Sequence, residues 1–105
     1  MLGYSVDEPA RAEVDALPGV AVVQFGSNTC GYCRAAQPLI EEAFAAHPGM
    51  RRIKIEDGKG RPLGRSFKVK LWPTLIFLKD GKEVQRVVRP TGTEEMKAAL
   101  ARITT

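Results

Sequence analysis

Residues 20–44 read VAVVQFGSNTCGYCRAAQPLIEEAF. Residues 20–25 form an apolar, β-branched run with almost no alternation, the pattern of a strand covered on both faces. Asn28 and Thr29 offer a helix N-cap immediately before Cys30. Ala36, Leu39, Ile40, Ala43 and Phe44 then recur at the helical period as far as His47-Pro48-Gly49. A buried strand therefore runs into an amphipathic helix, and Cys30-Gly31-Tyr32-Cys33 stands at the junction. Pro38 lies inside that helix, removes one backbone hydrogen bond and predicts a kink.

Toward the N-terminus, Ser5-x-x-Glu8 has capping-box spacing, and Ala10, Val14 and Leu17 mark a short amphipathic helix ending at Pro18-Gly19. Toward the C-terminus, residues 51–56 alternate as a second strand, and residues 58–65 read as a basic loop leading into a helical turn near Phe67. Residues 73–78 are a buried strand, Asp80-Gly81 a hairpin turn, and residues 83–88 its antiparallel partner. Thr91-x-x-Glu94 caps a last helix whose inner face is Met96, Ala99, Leu100 and Ile103. The order α-β-α-β-(short α)-β-β-α predicts an α/β fold with a central mixed sheet flanked by helices on both faces.

The bulk properties narrow the class. At 105 residues, 1–105 is expected to be one domain with its own core. No apolar run approaches the ~20 residues needed to cross a bilayer. Residues 1–11 carry acids and a proline where a secretory signal needs a basic start and an apolar stretch, so a cytoplasmic address is expected. The formal charge of +4 comes from clusters at Arg51-Arg52, residues 59–65 and Lys68 with Lys70. No helix-turn-helix, zinc-finger or aromatic RNA-binding pattern accompanies them, so a solvated surface is expected and not a nucleic-acid partner. Gly58-Lys59-Gly60-Arg61 lacks the spacing of a phosphate loop, and His47 reads as a helix-terminal residue.

Two cysteines only are present, three positions apart. A secreted disulfide scaffold would spread more of them through the chain. A zinc site needs four ligands, of which this pair supplies two, and there is no second pair. A purely structural bridge across so short a loop would stabilise the fold little. Redox chemistry gains from position: unpaired N–H groups and the macrodipole at a helix N-terminus favour a thiolate at Cys30. Cys33, one turn further in, should be more buried and still within reach of the same sulfur. No cofactor and no metal are implied.

Beyond the dithiol, the chain resembles the thioredoxin family from about Val6 to Ile103. The resemblance rests on Val22-Val23-Gln24-Phe25, Cys30-Gly31-x-Cys33, Pro38, Trp72-Pro73-Thr74 and Lys79-Asp80-Gly81-Lys82. It implies a thiol–disulfide oxidoreductase in which Cys30 attacks a substrate disulfide and Cys33 resolves the mixed disulfide. It also implies a cis Pro73 packed against the dithiol and a substrate groove formed by Gly31, Tyr32, Trp72, Pro73, Val88 and Arg89, with Pro38 and Gln24 in structural roles.

Several residues depart from that pattern. Thr29 and Tyr32 stand where thioredoxins usually have Trp and Pro, Trp72 where they have Ile, and Arg89 where a glycine borders the groove. The family's buried aspartate aligns with Gln24, which cannot act as a base. Tyr32 also restores a backbone N–H near the helix start, which is expected to stabilise the Cys30 thiolate and raise the potential.

The resemblance implies protein disulfides as substrates, a thioredoxin reductase or glutathione as electron donor, and a monomer. Three alternatives stay open at this stage. One is an oxidase or isomerase bias, suggested by Gly-Tyr between the cysteines. Another is a glutaredoxin-like protein. The third is a non-catalytic binding module with the dithiol as a redox switch.

Overall fold

The computed structural model describes residues 3–105. In chain order the elements are α1 (Arg11–Asp15), β1 (Val20–Gly26), α2 (Gly31–Phe44), β2 (Arg52–Glu56), α3 (Pro62–Ser66), β3 (Thr74–Lys79), β4 (Lys82–Val88) and α4 (Glu94–Thr104). The strands form one mixed sheet in the order β2-β1-β3-β4. β1 runs parallel to β2 and antiparallel to β3, and β3 pairs antiparallel with β4. This is the α/β arrangement expected from the sequence.

The period of two along β1 divides the core between the two faces of the sheet. Val22 packs with Ala36, Ile40 and Phe44 of α2 and Met96, Leu100 and Ile103 of α4. Val23 and Phe25 pack with Val14 of α1 and Leu63 and Phe67 of α3. Helices thus cover both faces, which is why β1 has no polar side but Gln24. Arg52 pins α2 to the outer strand with two hydrogen bonds to Glu41, at 3.0 and 2.8 Å, while its guanidinium lies over the Phe44 ring. Those hydrogen bonds hold the Glu41 carboxyl below its usual range.

Four local expectations are corrected. Ser5 is not a helix cap: it bridges to Ile55 of β2, and Glu8 instead accepts from the Leu63 N–H at 3.0 Å, in the first turn of α3. The first helix begins only at Arg11, where the Ala10 N–H donates to Glu13. Neither Asn28 nor Thr29 caps α2, because Cys30 itself takes that position. The last helix starts after Thr93 and not Thr91. The basic stretch is also more ordered than a loop, since Pro62 opens α3 and turns Leu63 and Gly64 inward. Capping motifs specify a hydrogen bond and not its address: tertiary pairing took the Glu8 and Asn28 side chains elsewhere, and those of Ser5 and Thr29 bond within two residues of themselves.

Candidate active site

The two sulfurs sit where the C-terminal end of β1 meets α2. Both are free thiols; Cys33 is fully buried and Cys30 half-exposed. As the N-cap, Cys30 has extended backbone angles, and its sulfur accepts the Cys33 N–H at 3.2 Å. A sulfur thus does the work usually done by a serine or aspartate oxygen, and a helix-end N–H with no other intrahelical partner points at it. The donor is the N–H of Cys33 and not that of Tyr32, which removes the stated reason for a raised potential: a proline at position 32 would leave this bond intact.

Burial lifts the Cys33 thiol above its ordinary titration range, and its hydrogen bond to the Cys30 sulfur adds to the effect. Hydrogen bonds from the Ser27 backbone and the Tyr4 phenol act in the opposite direction. The result is an accessible sulfur backed by a buried one that keeps its proton. That arrangement suits one thiol to attack an incoming disulfide and the other to act afterwards.

Tyr4, which sequence reading passed over, closes the inner side. Its ring is buried, and its hydroxyl accepts from Gln24 Nε2 at 2.6 Å. The Tyr4 N–H donates to Asn28 Oδ1 at 3.0 Å, and Asn28 Nδ2 donates back to the Tyr4 carbonyl at 3.1 Å. The residue expected to cap α2 instead ties the N-terminal segment to the loop before the dithiol. Gly26 makes room for this meeting, since a Cβ there would stand 2.6 Å from the Tyr4 hydroxyl and 2.8 Å from the Cys33 sulfur. Burial also raises the Tyr4 phenol well above its ordinary value.

The outer rim is built differently. The Trp72–Pro73 peptide bond is cis, and Pro73 leads directly into β3, whose Thr74 pairs with Phe25 of β1. Trp72 is not free to face a partner with its whole ring, for its Nε1 donates to Asp57 Oδ2 at 2.9 Å. Asp57 is the second residue missed. Its own N–H closes the end of β1 by donating to the Gly26 carbonyl, and its carboxylate fills the space a side chain at Gly64 would need.

Arg89 links the other rim residues. Its N–H donates to the Pro73 carbonyl at 2.9 Å, its Nε to the Trp72 carbonyl at 2.8 Å, and its guanidinium lies 3.6 Å from the centre of the Tyr32 ring. The backbone of Arg89 is left-handed, with φ +47°. That conformation explains a glycine preference at this position and costs a non-glycine residue on the order of 1–2 kcal/mol. Two hydrogen bonds and a cation–π contact, ~0.5–1 kcal/mol at an exposed site, oppose it.

Tyr32 remains 59% exposed and Val88 40% exposed, beside the exposed Gly31. A cavity of about 350 Å³ runs along Tyr32, Ala36, Leu39, Arg89 and Pro90. A larger one, of about 500 Å³, lies beyond Asp57 among Lys59, Arg61, Arg65, Lys68 and Lys70 and touches neither sulfur. Pro38 stands inside α2, exposed, and the helix continues past it. Among the described residues, no group of three or more His, Cys, Asp or Glu side chains is placed to hold a metal. No helix among them is long and apolar enough to cross a membrane.

Comparison with known proteins adds to this geometry. The family described as "Thioredoxin" matches residues 6–102. The solved structure of thioredoxin 2 from Pseudomonas aeruginosa PAO1 in its reduced form is 52% identical in sequence, with a TM-score of 0.85, over 95% of this chain and 93% of that one. Thioredoxin of Chlamydia trachomatis is 37% identical over 71 residues, 67% of this chain and 69% of that protein. Thioredoxin H-type 1 of Nicotiana tabacum is 33% identical over 69 residues, 66% of this chain, and the match spans 55% of that longer protein.

Proposed function

The chain belongs to the thioredoxin family, and from that footing we propose that it is a thiol–disulfide oxidoreductase working mainly as a reductant of protein disulfides. The observation that carries this reading is the asymmetry of the two thiols: Cys30 caps the helix within reach of solvent, and Cys33 lies buried behind it. The Cys30 thiolate attacks one sulfur of a substrate disulfide. The substrate S–S bond breaks, one substrate sulfur leaves as a thiolate that takes up a proton, and a mixed disulfide remains. Cys33 then attacks the Cys30 sulfur, the mixed disulfide breaks, and the second substrate sulfur departs reduced while Cys30–Cys33 becomes the oxidised pair.

In this reading Gly31, Tyr32, Trp72, Pro73, Val88 and Arg89 form the surface against which an extended substrate segment lies. Pro38 and Gln24 hold the frame. The 105 residues act as one domain and as a monomer in the cytoplasm. Electrons return from a thioredoxin reductase or from glutathione.

The test is insulin reduction with dithiothreitol as the electron source, run beside a trapping assay. Repeated turnover is expected, Cys33→Ser should accumulate a covalent substrate complex through Cys30, and Cys30→Ser should form none. Absence of turnover would leave the protein a binding module with a redox switch. Release of reduced substrate by Cys33→Ser at the unmodified rate would remove the two-cysteine mechanism.

A further inference from the structure

The steps above leave one buried polar group beside the sulfurs unused. Tyr4 and Gln24 are 4% and 2% exposed, and Gln24 Nε2 donates to the Tyr4 hydroxyl at 2.6 Å. Because Gln24 supplies that donor, the phenol's own proton is free to point elsewhere. It lies beside Cys33: hydroxyl and sulfur crowd the same space at Gly26, 2.6 and 2.8 Å from where a Cβ would stand, and each acts on the other's titration. The Cys30 sulfur in turn accepts the Cys33 N–H at 3.2 Å. With the Tyr4 hydroxyl already accepting from Gln24 and the Cys33 sulfur beside it, the phenol proton has that sulfur as its acceptor, and hydrogen bonds arranged head to tail polarise one another.

We propose that Tyr4 is a catalytic hydrogen-bond donor to the sulfur of Cys33 while that sulfur resolves the mixed disulfide, and that Gln24 is the residue positioning it. The proposal rests on the assignment of Cys33 as the resolving thiol. In resolution the Cys33 thiol gives up its proton, the Cys33–Cys30 bond forms, and the bond from Cys30 to the substrate breaks. The departing substrate sulfur takes the bonding electron pair and the proton. Tyr4 neither gains nor loses a proton: its O–H tightens onto Cys33 as that sulfur becomes negative, and relaxes when the disulfide closes. Burial keeps the phenol protonated near neutral pH, and an amide is no base, so donation is the chemistry this pair can supply.

Space filling alone does not account for the pair. A Phe and a Leu would occupy the same volume with no buried hydroxyl or amide to satisfy. Placement is also over-determined: Asn28 holds the Tyr4 backbone at both its N–H and its carbonyl, and the next residue, Ser5, donates to the Lys54 carbonyl at 2.9 Å. The charged or titratable groups acting on Cys33 are Cys30 at the start of α2, Tyr4 on the N-terminal segment and Lys54 on β2, whose ammonium lies over the Tyr4 ring.

The test uses Tyr4→Phe in the full chain, following mixed-disulfide formation and resolution separately with a disulfide-bonded peptide. Resolution should slow about tenfold more than formation, equivalent to ~1.4 kcal/mol at the barrier. In a Cys30→Ser background, thiolate ultraviolet absorbance should show the Cys33 midpoint about one pH unit higher with Tyr4→Phe than with Tyr4. A purely packing role would not move that midpoint. Gln24→Leu should shift both readings in the same direction by less, and it carries the test if Tyr4→Phe does not fold. Failure of the unmodified chain to form any mixed disulfide would defeat the dithiol assignment itself. A mixed disulfide that forms normally and resolves at the unmodified rate, with an unmoved Cys33 midpoint, overturns the role of Tyr4.

Discussion

Behind Cys33 the chain closes completely: Tyr4, Gln24 and Gly26 are buried with it, and each polar group there has a partner. In front of Cys30 the rim of Tyr32, Trp72 and Arg89 is half-open, joined by a cation–π contact and by hydrogen bonds to backbone carbonyls. The difference separates two tasks. A buried thiol can have its protonation set by the fold alone, because solvent does not compete and each hydrogen bond acts in low dielectric. A rim that meets other proteins must keep its contacts in water, where each is worth less and can be exchanged for one to a partner.

The largest effect that would sharpen this comparison is in stability against pH. Cys33 is raised from 9.0 to about 11 in the folded protein. A thiol raised in this way contributes stability that is complete below its unfolded value and is lost as pH climbs through its folded value. For Cys33 that contribution is lost between about pH 9 and pH 11. Tyr4 adds a further loss above its ordinary 10.0. Denaturant unfolding at a series of pH values should show this decline in the reduced protein and a shallower one in the oxidised protein, which has no Cys33 thiol. Parallel curves for the two forms would mean that the inner side does not hold the Cys33 proton.

These inner contacts were the least legible part of the sequence, and the reason is physical. The sheet, its helices and the dithiol follow from local signals: the apolar run of β1, the helical period after Cys33, the Asp80-Gly81 turn. The contact of Tyr4 with Gln24 spans 20 residues and that of Trp72 with Asp57 spans 15, and no local pattern encodes either. One signal was available: a lone Gln inside a fully apolar strand requires a buried polar partner. Arg89 was readable only in part. Its alignment with a groove glycine was visible, but its φ of +47° and its grip on Trp72 and Tyr32 needed coordinates. The misplaced caps have different causes: distant backbone at Tyr4 recruits the Asn28 side chain, the Ser5 hydroxyl turns to the Asp7 N–H, and the last helix begins after Thr93 with no side-chain cap.

A smaller effect is expected at the rim. Asp57→Ala removes the acceptor of the Trp72 indole, and because the pair is half-exposed the cost should be about 1 kcal/mol of stability. Trp72 emission should shift toward that of a solvated indole, and the Michaelis constant for a protein disulfide should rise. Cys33 alkylation should not change. A change there as large as the change in substrate binding would show that rim and interior act as one unit.

The division of roles rests on the two thiols differing in access because of what surrounds them. Iodoacetamide labelling of the reduced protein near neutral pH, with each cysteine quantified by peptide mass spectrometry, measures that difference directly. Cys30, half-exposed at the helix end, should be labelled at least about a hundredfold faster than the buried Cys33. Equal labelling rates at the two positions would contradict the assignment of attacking and resolving sulfurs.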